Sequence, residues 1–148
     1  MINGATDYNN VGICAAGLMS VLRHTETLST TKALLIMPMV MHAATIRYFS
    51  DGRTAPREIA ALASIRPDLF ANFPSRFSAS LATSLNAIQL LASLQFITLQ
   101  RDLRLSHELI VDESFGKRAL KIDIASANIA AVLNSSVDEL YLNLRIPL

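Results

Sequence analysis

Charge, cysteine and long apolar runs are all scarce in this 148-residue chain, and each scarcity closes off a class of protein. Only 17% of residues are charged, against roughly a quarter in an ordinary soluble domain. Such a chain either covers part of its surface with a partner or is simply a soluble domain rich in alanine and leucine. The net charge is +1 and the pI about 7.9, so the overall basic footprint of a nucleic-acid binder is missing, although local basic patches stay open. A single cysteine, Cys14, permits no intramolecular disulfide. The opening MINGATDYNN carries no basic and apolar leader. Both features fit a reducing cytoplasm.

No apolar run is long enough for a membrane span. The stretch ALLIMPMVMHAATIRYF (33–49) is uncharged for only 14 residues between Lys32 and Arg47, short of the roughly 18 to 20 that a spanning helix needs. A longer uncharged stretch, Phe77 to Gln100, is punctuated by Ser78, Ser80, Thr83, Ser84, Asn86, Gln89, Ser93 and Gln95, which lipid would penalise.

Catalytic signatures are missing as well. There is no G-x-S-x-G, Walker, G-x-G-x-x-G or H-E-x-x-H motif. His24, His42 and His107 fall in different predicted elements, and none stands three or four residues from another histidine or a cysteine. No zinc spacing results. Cys14 sits among small apolar residues as a small hydrophobe. The carboxylates at Asp112-Glu113 and Asp138-Glu139 are consecutive, which suits a strand end and a helix start. The residues lead to a non-enzymatic protein with no cofactor, no metal and His42 in a structural role.

What is present is helical periodicity. Val11, Cys14, Ala15, Leu18, Val21 and Leu22 share one face of a predicted first helix, with Asp7, Asn9 or Asn10 as its cap. Ser29, Thr30 or Thr31 then caps a second helix through the 33–49 run. That helix is apolar on nearly every side, as expected of one surrounded by others. Pro38 should bend or divide it. SDGR (50–53) is the best internal boundary. In TAPREIAALASI, Thr54 is the cap and Pro56 lies in the first turn, with Ile59, Leu62 and Ala63 facing inward and Arg66-Pro67 as the stop. Pro74 marks a restart, and SLATSLNAIQLLASL buries Leu81, Leu85, Ile88 and Leu91 or Ala92.

The period then changes. QFITLQRDLRLSHELIVDES alternates in part, with Ile97 and Leu99, then Leu103 and Leu105, then Leu109 to Val111. With QRD as the turn it reads as a two-stranded ribbon. Two more helices follow: one near 121–133 with Ile122, Ala125, Ile129, Val132 and Leu133 in register, and a short one capped by Ser136. The expectation is a mainly α protein with a small β-ribbon, winged-helix-like at its centre. One domain spans 1–148, as an N-terminal helical pair (1–50), a winged-helix-like unit (51–115) and C-terminal helices (116–148).

In a winged helix, Arg53, Arg57, Arg66 and Arg76 at helix ends, with Arg101 and Arg104 at the ribbon turn, would line one surface and contact phosphates. Ordinary solvation, partly matched by Asp51, Glu58, Asp68 and Asp102, is the plainer account of them. The helix in the recognition position carries no basic residue, which argues against reading a major groove. A DNA-binding transcriptional regulator is therefore the alternative function.

Taken in order, the segments resemble the small middle components of bacterial ABC three-component systems, including the middle subunit of Lamassu-type anti-phage defence. Asn10 stands before a small-residue helix, as in the family's opening. LLIMPMVMHAATIR resembles its leucine-proline-leucine-valine-leucine-histidine block, with Pro38 and His42 in place. A helix with Phe73 and Arg76 precedes the apolar helix and ribbon, and SVDELYLNLRIP resembles the closing leucine-x-arginine-x-proline tail at Arg145 and Pro147. Val11 departs from a usual proline, Ala43 from a usual lysine, and Ala92 or Ser93 from a usual glycine before the ribbon. The resemblance implies an adaptor that bridges an ATPase resembling the structural-maintenance-of-chromosomes (SMC-like) proteins and an effector, often a nuclease. DNA would be engaged through the complex.

Overall fold

A computed structural model describes residues 4–51, 58–108 and 110–147, with side chains from Asn10 onward. Arg53, Thr54, Pro56, Arg57 and Leu109, and the side chains of Asp7 and Asn9, lie outside the described residues. So does most of the SDGR turn. The chain is mainly α-helical with a small antiparallel sheet.

Helix α1 runs Gly4–Leu22. It begins well before the expected cap, so Asn10 lies within the helix. Cys14, Leu18, Met19, Val21 and Leu22 are buried, and α1 packs against two later helices, α6 and α7 (below). After a short strand β1 (Leu28–Ser29), the apolar run is divided into three pieces: α2 (Thr30–Ala33), α3 (Ile36–Val40) and α4 (Ala43–Ser50). Ser29 caps α2, its hydroxyl accepting from the Lys32 amide. Every residue of α3 is buried.

The division does not fall at Pro38. Proline occupies the third position of α3, where its missing N–H would have had no intrahelical partner. The turn comes at His42, whose extended backbone (φ −98°, ψ 109°) swings α4 through 98° relative to the preceding segment. Among the described residues no single helix is long and apolar enough to cross a membrane.

Beyond the break come α5 (Ile59–Ile65), a 3₁₀ turn (Pro67–Phe70) and the long α6 (Phe73–Ser93). Ile59 and Leu62 are buried as expected. Pro74 stands in the first turn of α6 and fixes its start. The buried face of α6 is Phe73, Ser84, Ala87, Ile88 and Leu91. Leu85 is 44% exposed, because four residues per step drift off a 3.6-residue stripe that favours Ser84. Strands β2 (Ile97–Leu99) and β3 (Asp102–Leu105) form the ribbon, and β1 adds to it, giving the order β1-β3-β2 with Leu28 opposite Leu103. Ile110 and Val111 extend no strand: the backbone there is irregular, with Val111 buried and Ile110 exposed.

A second 3₁₀ turn (Glu113–Phe115) leads into α7 (Lys117–Val132) and α8 (Val137–Asn143). All five expected positions of α7 and its cap are buried. Ser136 caps α8 by accepting from the Glu139 amide, with Asp138 and Glu139 in the first turn. One connected core runs from Cys14 to Ile146. The C-terminal helices clasp the N-terminal ones through polar contacts: Tyr141 donates to the Thr31 carbonyl (2.7 Å) and Asn128 to that of Phe49 (2.7 Å).

Candidate functional site

Three of the residues singled out from the sequence meet in one hydrogen-bonded cluster. Arg76 turns inward from the second turn of α6. Its guanidinium donates to the Pro38 carbonyl (2.8 Å) and the Leu69 carbonyl (2.7 Å), with a longer bond to Ala71 (3.3 Å). It also lies over the Phe73 ring, 5.0 Å from the centroid. The Pro38 carbonyl belongs to the last turn of α3, where four carbonyls lose their helical partners. Arg76 therefore caps α3 from another helix. Its partial burial lowers its pKa without removing its charge.

His42 completes the cluster. Its Nδ1 pairs with Thr45 Oγ1 at 2.8 Å, and Thr45 in turn donates a long bond (3.5 Å) to the Leu69 carbonyl. The pair joins the cap and third positions of α4 side chain to side chain, without a side-chain bond from His42 to a cap amide. Burial, then the Arg76 charge, holds the imidazole below its ordinary pKa, against a smaller opposing pull from Asp68. This is a neutral ring in a mechanical joint.

A second polar seam ties α1 to α7. Arg23 and Asp123 form an ion pair at 2.6 Å, and Ser20 donates to the same carboxylate at 2.8 Å. His24 Nε2 meets Ser126 Oγ at 3.0 Å. Cys14 is buried, and burial pushes its thiol up to about 12, against the weaker effect of the Ser84 hydroxyl. Among the described residues no group of three histidine, cysteine or carboxylate side chains is placed to hold a metal ion.

Arg53 and Arg57 lie outside the described residues, and the described arginines do not all face one surface. Arg76 is turned into the cluster, and Arg66 grips Asp68 with two bonds (2.9 and 2.8 Å) while lying over Tyr48. Arg76 is thereby unavailable to phosphates, whereas Arg66 stays partly exposed in a surface ion pair. Arg101 and Arg104 are exposed, Arg104 opposite Thr98 in the ribbon. Arg145 has φ 61° and is the left-handed residue that stops α8. The Ile146 amide returns to the Tyr141 carbonyl (3.0 Å) and that of Arg145 to Leu142 (3.1 Å), a Schellman stop after which Pro147 bars further helix. Asn10 is half-buried on α1.

The sequence reading passed over a groove of about 740 Å³ where α4 meets the start of α7. Met41 and Ala43, over the buried Val40, Ile46 and Ile122, are its apolar lining, and Arg47, Lys117, Arg118 and Lys121 are its cationic groups, with Asp51 beside them. All four cations are exposed. Arg118 lies 3.0 Å from the Met41 sulfur. The available signal was Lys117, Arg118 and Lys121 crowded into the first turns of a helix with no acidic residue there, where helices favour negative charge.

Comparison with curated proteins and with solved structures found no match. The family model described as ABC-three component (ABC-3C) system Middle Component 3 matches residues 7–147, a span that takes in both polar seams, the sheet and the terminal helix stop. The chain belongs to the Middle Component 3 family of ABC three-component systems.

Proposed function

We propose that the protein is a non-enzymatic, cytoplasmic adaptor in a bacterial anti-phage defence complex of the Lamassu type, bridging an SMC-like ABC ATPase and an effector such as a nuclease. Family membership supports a role as one subunit among several. The observation that carries the reading is the outer face of α6. Between Arg76 and Arg101 the chain has no charged residue, yet Ala79, Ala82, Leu85, Asn86, Gln89 and Leu90 are exposed. A helix face that stays in water normally carries charge, and this face instead has the uncharged, partly apolar character of a covered interface.

Co-expression with the subunits encoded beside its gene tests the proposal. The chain should elute with them as a stable complex, and Leu85→Glu with Leu90→Glu should release it while leaving its own fold intact. A monodisperse monomer that neither neighbour binds would sink the adaptor reading.

The alternative, a winged-helix DNA-binding regulator, is supported by a ribbon that follows the long helix with Arg101 and Arg104 exposed on it. It requires duplex binding that weakens with salt and with alanine at both arginines.

A further inference from the structure

We infer that the groove between α4 and α7 is the seat of an acidic, amphipathic segment of a partner subunit, an inference that rests on the adaptor reading. Four cations converge on it from two helices far apart in sequence, Arg47 from α4 and Lys117, Arg118 and Lys121 from α7, in a chain whose net charge is only +1. The ion pairs Arg23–Asp123 and Arg66–Asp68 take up none of the four, and against these four charges the described groove lining sets a single carboxylate, Asp51. Lys117 and Lys121 stand four apart on one helix face, where like charges repel. Lys117 and Arg118 also oppose the positive end of the α7 dipole, and no acidic residue lies in that first turn. This arrangement costs the isolated chain stability and would be relieved by carboxylates brought from outside.

The apolar lining selects the occupant. Met41 and Ala43 are the lining apolar residues that reach the surface, over a floor of buried Val40, Ile46 and Ile122, so a segment that places leucine- or phenylalanine-like anchors beside aspartate or glutamate matches both features. A phosphate backbone would use the cations but leave this apolar surface wet. The groove also offers no aromatic ring on which a base could stack.

Zero-length carbodiimide coupling of the reconstituted complex, which links lysine amines directly to carboxylates, locates the occupant. Lys117 or Lys121 should be joined to aspartate or glutamate of a partner subunit. Lys117→Glu with Lys121→Glu should weaken assembly about tenfold or more, and lysine at the coupled partner carboxylate should restore it. These side chains are exposed, so the melting temperature of the free chain should not fall. A wild-type complex that forms, yet is indifferent to the double reversal or couples only elsewhere, overturns the groove inference alone. Unchanged assembly with loss of salt-sensitive binding to a short DNA duplex reassigns the groove to nucleic acid and also overturns it. No complex at all overturns both this inference and the adaptor reading.

Discussion

Arg76 donates a 2.8 Å hydrogen bond to the carbonyl of Pro38, thirty-eight positions earlier in the chain. A proline whose expected effect was to bend a helix is instead the last-turn residue whose carbonyl another helix caps. Arg76→Ala would strand that carbonyl and one of the two bonds to Leu69. We expect a loss of about 2–3 kcal/mol in denaturant unfolding. Arg76→Lys should recover less than half, since an ammonium cannot span both carbonyls as the planar fork does. A loss below about 0.5 kcal/mol would show that the cluster contributes little.

Two helices end on residues that strain their backbone. Gln95, at φ 65°, stops α6 with the Phe96 amide returned to the Leu91 carbonyl, and Arg145, at φ 61°, does the same for α8. Glycine adopts this conformation freely. Gln95→Gly and Arg145→Gly should each raise stability by about 0.5–1 kcal/mol, read as higher melting temperatures, whereas valine at either position should lower them. For Gln95 this places the glycine-like position two or three residues beyond Ala92 and Ser93.

Acidification should weaken the fold through two histidines. His42 is held below the ordinary value of 6.5 by burial first and Arg76 next, and His24 by burial first and Arg23 next. The folded state thus favours the neutral rings. Below pH 6.5 the unfolded chain takes up these protons before the folded chain does, so unfolding free energy declines as pH falls and levels off above it. Denaturant midpoints measured from about pH 7.5 to about pH 5 should fall, and His42→Gln should flatten the slope. A midpoint that rises on acidification in this window would contradict the assignment.

Cys14 should be inert in the folded protein. With its thiol pushed up to about 12 and its side chain buried, thiolate is nearly absent at neutral pH. A thiol-specific reagent should label it only at the rate of unfolding and at once in denaturant. Rapid labelling of the native chain would mean that α1 opens from α6.

Local chemistry made much of this legible in advance. Ser29 and Ser136 were readable as caps because a hydroxyl before a helical run has a nearby amide to bind. The core stripe of α7 follows the 3.6-residue period. The ribbon was visible because the period shortens after Ser93. The family itself was recognisable from Asn10, Pro38, His42, Arg76, Arg145 and Pro147 in order.

What only the tertiary structure decided is where distant segments meet. The 33–49 run is apolar almost throughout, so nothing local says that it turns at His42 and not at Pro38; Thr45 and the carbonyl of Leu69 fix that. Strand β1 is two residues long and forms only because β3 offers an edge. Arg76 and Arg101 look alike as letters, yet one is drawn inward by orphaned carbonyls and the other stays in water. The cationic groove joins α4 to α7, and a charge cluster assembled across so long a separation has no signature in any one stretch of the chain.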